Sequence, residues 1–140
     1  MTFTGFIHNA QLPLYQAAAE ILLMPYGREI GISSGGGNSA QVSSPMKMFE
    51  YLATGRALIA SDLPVFHEVL NDGNAVFCPP PDGEHGTGKK ASAWEGAILA
   101  LLDNPQRRLA LSKQARADAA PYSWTARAER ILAGFLDSER

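Results

Sequence analysis

The stretch Ser44-Pro45-Met46-Lys47-Met48-Phe49-Glu50-Tyr51-Leu52-Ala53-Thr54-Gly55-Arg56-Ala57-Leu58-Ile59-Ala60-Ser61-Asp62-Leu63-Pro64 reads as a helix, a stop and a strand in immediate succession. Ser44 offers a side-chain oxygen for an N-cap, and Pro45 suits the first helical position because its missing N–H would be unpaired there anyway. Met46, Phe49, Leu52 and Ala53 recur at helical spacing as an apolar stripe. Gly55 supplies the left-handed stop. The run 57–61 is short, continuous and apolar, the pattern of a strand covered on both faces of a parallel sheet. Asp62 ahead of Pro64 reads as a cap for a short helix from Val65 to Leu70.

The same alternation extends outward in both directions. Upstream, residues 3–7 read as a short strand followed by a turn at His8-Asn9. Pro13 opens a helix through Leu14, Tyr15 and the alanines at 17–19, and Ile21-Leu22-Leu23-Met24 is a buried strand stopped by Pro25. Residues 27–44 are polar and glycine-bearing without any period, and loops of that length in compact domains usually carry function. Downstream, residues 75–78 form a further strand, and 82–91 a charged loop. Ser92-Ala93-Trp94-Glu95 has the form of a capping box, with Ala97, Ile98, Leu101 and Leu102 facing inward after it. Asn104-Pro105 starts a helix to about Asp118. Ser123 caps the last one, whose Trp124, Ala128, Ile131, Leu132 and Phe135 fall at helical spacing. Strand–helix alternation of this kind predicts an α/β fold: a Rossmann-like parallel sheet, here of four strands, with flanking helices.

Composition bounds the function. A length of 140 residues accommodates one domain, and 46% apolar with 19% charged residues is globular rather than disordered. The net charge of -2 argues against a broad nucleic-acid footprint. No apolar run reaches membrane-spanning length, and from residues 1–5 no signal peptide is expected. Cys78 has no second cysteine to pair with, and a small buried role and a cytoplasmic location are expected. His8, His67 and His85 lack ligand-like spacing, so no metal site is expected. Trp94 and Trp124 are expected in the core. Charge is uneven: residues 1–103 hold five basic and ten acidic side chains, residues 104–140 seven and four. A solvated helical surface explains this, and a face turned to anionic lipid is the sharper alternative.

In open parallel sheets ligands bind outside the carboxyl ends of the strands. Here those ends are Met24-Pro25 and Ser61-Asp62, and the helix beginning at Pro45 brings its N-terminus to the same side. Unpaired N–H groups and the helix dipole suit an anion such as a nucleotide phosphate. The glycines at 35–37 do not form a dinucleotide fingerprint, and a donor-side loop is their expected role.

Residues 44–64 are very similar to the nucleotide-sugar site of group 1 glycosyltransferases of the two-domain GT-B type. The similarity continues through Glu68-Val69-Leu70 and Asp72-Gly73. Phe3-Thr4-Gly5-Phe6, Glu20-Ile21-Leu22-Leu23-Met24-Pro25 and Tyr122-Ser123-Trp124 also resemble family segments. The resemblance implies that Glu50 accepts hydrogen bonds from the donor ribose, a task suited to a carboxylate facing a cis-diol. It implies that Ser44, Pro45 and Met46 line the donor at the helix start, with backbone N–H groups of that turn turned toward it. Lys47, one turn before Glu50, either reaches the diphosphate or pairs with Glu50. The family's earlier acidic residue corresponds to Glu29 by its distance from Pro25. Its distance from Glu50 is too long, however, and counting back from Glu50 lands on Val42, so either the loop is an insertion or that role is lost.

By the same resemblance the donor is a UDP-, GDP- or ADP-sugar, and no metal or other cofactor is expected. The chain corresponds to the later part of the C-terminal donor domain, without the acceptor domain or the family's basic pair for the diphosphate. It is expected to bind donor without transferring sugar alone. A stand-alone, non-catalytic binding or interaction module of the same fold is the alternative, and a different nucleotide-binding α/β protein a third. Apolar faces left without cover predict homo-oligomers, and the full enzyme is expected near a membrane surface.

Overall fold

A computed structural model describes residues 2–28, 45–81 and 89–137. Helix α1 (Leu12–Ala18) leads into strand β1 (Ile21–Met24), helix α2 (Met46–Thr54) into β2 (Ala57–Ser61), and a 3-10 helix (Pro64–Glu68) into β3 (Val76–Cys78). Helices α3 (Lys89–Leu102), α4 (Pro105–Ala119) and α5 (Trp124–Asp137) close the chain. The three strands form one parallel sheet in the order β1-β2-β3, with Leu22 beside Leu58 and Ser61 beside Cys78. The α/β, Rossmann-like expectation is met.

The sheet separates two apolar clusters because side chains alternate across it. Leu22, Met24, Leu58 and Ala60 pack with Met48 and Leu52 of α2 and with Phe66 and Leu70. Ala57, Ile59 and Cys78 pack on the other face with Leu101 of α3 and Leu111 of α4. Helix α4 crosses the N-terminal end of the sheet and joins both clusters, Leu111 entering one and Ala115 the other. Its side chains hold that end together. Arg108 reaches Glu20 at 3.4 Å and the α3 carbonyls of Leu101 and Leu102 at 2.6 and 2.7 Å. Asp118 accepts from the buried Asn74 amide at 2.8 Å. The C-terminal end of the sheet is thereby left for a site.

Several sequence expectations change. Residues 3–7 form no strand: Phe3 and Phe6 are 84% and 86% exposed, and no ladder pairs this segment, so the sheet has three strands among the described residues. β1 is half-covered rather than buried on both faces: Leu22 and Met24 face the core, while Leu23 is exposed on the other side. The buried stripe of α2 is Met48 and Leu52, while Met46 is 77% exposed and Ala53 faces outward. α3 begins at Lys89, so Ser92 lies inside the helix and the expected capping box does not start it; Leu102 faces out. Asp62 caps nothing: the N-cap residue of the 3-10 helix is Leu63. Trp124 is 81% exposed, and Ile131 and Leu132 are also exposed, so this stripe of α5 is outside the core; Phe135 lies outside the described side chains. Other expectations hold. Gly55 takes φ 62° and ends α2, Asn104 accepts from the Arg107 N–H at 2.9 Å, and Ser123 accepts from the Ala126 N–H at 3.2 Å. No helix among the described residues is long and apolar enough to cross a membrane.

Candidate functional site

Pro45 stands at the N-cap of α2 with extended ψ of 128° and no side-chain cap. Its carbonyl accepts from the Met48 N–H at 2.9 Å, and the N–H groups of Met46 and Lys47, first in the helix, have no intrahelical acceptor. Pro45 is half-buried, Met46 and Lys47 are exposed beside it, and Glu50 follows on the second turn, also exposed. Lys47 and Glu50 do not pair. Elsewhere Asp62 meets the His67 imidazole, and Arg108 forms an ion pair with Glu20. Glu50 instead accepts from the Gln16 side-chain amide of α1, Nε2 to Oε2 at 3.4 Å.

Between α1 and α2 lies a groove of about 580 Å³. Asn9, Leu12, Pro13 and Gln16 line one wall, and Glu50, Ala53 and Thr54 the other. The groove is therefore part apolar and part polar: aliphatic side chains, two carboxamides, one hydroxyl and one carboxylate. The Thr54 hydroxyl is engaged, donating to the Tyr51 carbonyl at 2.7 Å. Arg56, in the turn after α2, donates to the Ala17 carbonyl and ties α1 to this side of the sheet.

A second cluster gathers at the carboxyl ends of β2 and β3. The Asp62 N–H donates to the Cys78 carbonyl at 2.7 Å, and its carboxylate meets His67 Nε2, also at 2.7 Å. The imidazole stacks on Phe77 with ring centroids 4.2 Å apart. Beneath them Ser61 is fully buried, and among the described residues its Oγ has no hydrogen-bond partner. Burial also pushes the Cys78 thiol up from its ordinary value. Among the described residues no three His, Cys, Asp or Glu side chains gather to hold a metal ion.

Of the sequence-predicted site residues, Pro45, Met46, Lys47 and Glu50 therefore lie together along the start of α2. Glu29 and Ser44 lie outside the described residues, as do His85, Val42 and the glycines at 35–37. Sequence reasoning missed Gln16 and Asn9. They carry no motif, and only the packing of α1 and the turn before it on α2 brings them into the groove that Glu50 lines.

Parallel sheet, carboxyl-end loops and an acidic groove beside a helix N-terminus define a Rossmann-like α/β domain. Residues 1–104 match the family model of the group 1 glycosyl transferases, and the chain belongs to that family. Phosphatidyl-myo-inositol mannosyltransferases of Mycobacterium tuberculosis and Mycobacterium bovis are 31% identical over 98 residues, 68% of this chain and 24% of theirs. The chain thus spans about a quarter of the length of these curated relatives. Among solved structures, sucrose-phosphate synthase from Thermosynechococcus elongatus superposes with a TM-score of 0.68 at 24% identity, over 99% of this chain and 31% of that one. Anabaena HepE in complex with UDP gives 0.66 at 15% identity, over 93% and 30%. The UDP-glucose complex of HepE gives 0.62 at 16% identity, with the same coverage. The fold is part of the Rossmann-like domain of a GT-B glycosyltransferase.

Proposed function

We propose that the chain forms the donor side of a group 1 glycosyltransferase and binds a nucleoside diphosphate sugar. The observation that carries this reading is the Glu50 carboxylate on the wall of the α1–α2 groove, one turn from the N-terminus of α2. A carboxylate there accepts both hydroxyls of a ribose cis-diol. The backbone N–H groups of Met46 and Lys47 at the start of α2, with a Lys47 ammonium that pairs with no carboxylate among the described residues, suit the diphosphate at the head of the helix. Leu12, Pro13 and Ala53 offer the apolar surface a base needs. The HepE complexes with UDP and UDP-glucose support the ligand class, since those proteins share this fold.

Transfer needs donor and acceptor held in register, which supplies a large part of any rate enhancement. Since the chain spans a quarter of its relatives' length, its own activity is expected to be binding without turnover. Calorimetric titration with UDP, GDP and ADP tests the reading. One of them should bind, and Glu50→Ala should weaken that nucleotide about 10- to 100-fold, the cost of losing hydrogen bonds to a charged acceptor. Binding that Glu50→Ala leaves unchanged would refute it. Sustained transfer from labelled nucleotide sugars by the 140-residue chain would refute the second part.

A further inference from the structure

An exposed glutamate on a helix samples several rotamers, and fixing its carboxylate costs entropy at the moment of binding. Glu50 is not left to do so. The Gln16 amide, half-buried on α1, crosses the groove and donates to Oε2 at 3.4 Å. The next residue of α1 is held as well, its Ala17 carbonyl accepting from Arg56 in the turn behind α2. Two consecutive residues of α1 are thus tied across the groove, one to the carboxylate and one to the backbone end of the same helix. A carboxylate has about four lone-pair sites, and an amide donor on Oε2 leaves Oε1 and the remaining site of Oε2 for other donors. Lys47, the charged neighbour at helical spacing, does not compete for it.

We propose that Gln16 is a positioning residue: it fixes the plane of the Glu50 carboxylate and thereby sets the site's preference for a ribose cis-diol over a deoxyribose. This rests on the nucleotide reading above and adds a residue to it. The test is titration of the full chain with UDP, GDP and ADP and with the 2′-deoxy form of each, for the unaltered chain, Gln16→Leu, Glu50→Ala and the double variant. The unaltered chain should prefer the ribonucleotide. Gln16→Leu should weaken the ribonucleotide about 3- to 10-fold while changing the deoxynucleotide by less than about twofold, and it should cost nothing further in the Glu50→Ala background. Circular dichroism confirms that each variant is folded. Equal losses toward both nucleotides would mean a loosened groove and overturn the inference, as would a full additional loss in the double variant. A diol preference left intact by Gln16→Leu defeats this inference alone. Failure of the unaltered chain to bind any of the three ribonucleotides defeats the nucleotide reading and this inference with it.

Discussion

At Gly55 the backbone takes φ 62°, and a Cβ there would meet Arg116 Cβ at 3.3 Å. Both facts follow from one task, turning α2 into β2 underneath α4. Gly55→Ala is expected to cost about 1–2 kcal/mol, read as a lowered urea midpoint with an unchanged slope. Cys78 offers a pH test. Its thiol is pushed up by burial, so the folded state favours the neutral form more than the unfolded chain does. Stability is then complete below the ordinary thiol value and declines as pH rises from that value toward the raised one. The melting temperature should fall on the alkaline side, and Cys78→Ala should flatten that fall. At this scale the sequence is informative wherever chemistry is local. Glycine is read from its backbone freedom, Asn104 and Ser123 from their short polar side chains, and Glu50 from a motif. Gln16 is silent, because an amide declares no partner until a second helix is placed beside it.

Helices show where local signals compete. α4 starts on Asn104 followed by Pro105, and the carboxamide accepts from the Arg107 N–H. Asn104→Ala is expected to cost about 1 kcal/mol, measured by thermal or urea unfolding. Ser92 with Glu95 carries an equally good local signature, yet α3 begins at Lys89. Trp94 helps to explain the register. It packs against the cluster of Ile59, Cys78 and Leu101 and donates its indole N–H to the Pro79 carbonyl at 2.9 Å, which anchors the first turns of α3 over β3. Partial burial of a large aromatic ring, together with its N–H bond, outweighs a cap worth about 1 kcal/mol. α2 makes the same point: apolar residues at 46, 48, 49, 52 and 53 permit more than one buried face. The sheet selects Met48 and Leu52, and Met46 turns to solvent.

Across the whole molecule, α4 is the member that makes two clusters one folding unit. Leu111 is 2% exposed and packs with Ile59 and Leu101, while Ala115 packs one turn on in the other cluster. Leu111→Ala is expected to cost about 2–5 kcal/mol and to lower the melting temperature by roughly 5–15 °C. Far-UV circular dichroism and the fluorescence of Trp94, measured in a Trp124→Phe background, should fall together, since α4 and α3 are lost with the sheet. The α/β class, the strands at Ile21–Met24 and Ala57–Ser61, the stop at Gly55 and the alignment of Pro45, Lys47 and Glu50 were determined by the sequence alone. They rest on periodicity, backbone freedom and motif spacing, which are properties of neighbours in the chain. The fate of residues 3–7, the buried face of α2, the start of α3, the exposure of Trp124 and the meeting of Gln16 with Glu50 were decided by tertiary structure. Each depends on what lies opposite: a strand needs a partner to complete its ladder, an apolar stripe needs a surface to cover it, and a side-chain donor needs an acceptor brought from a distant part of the chain.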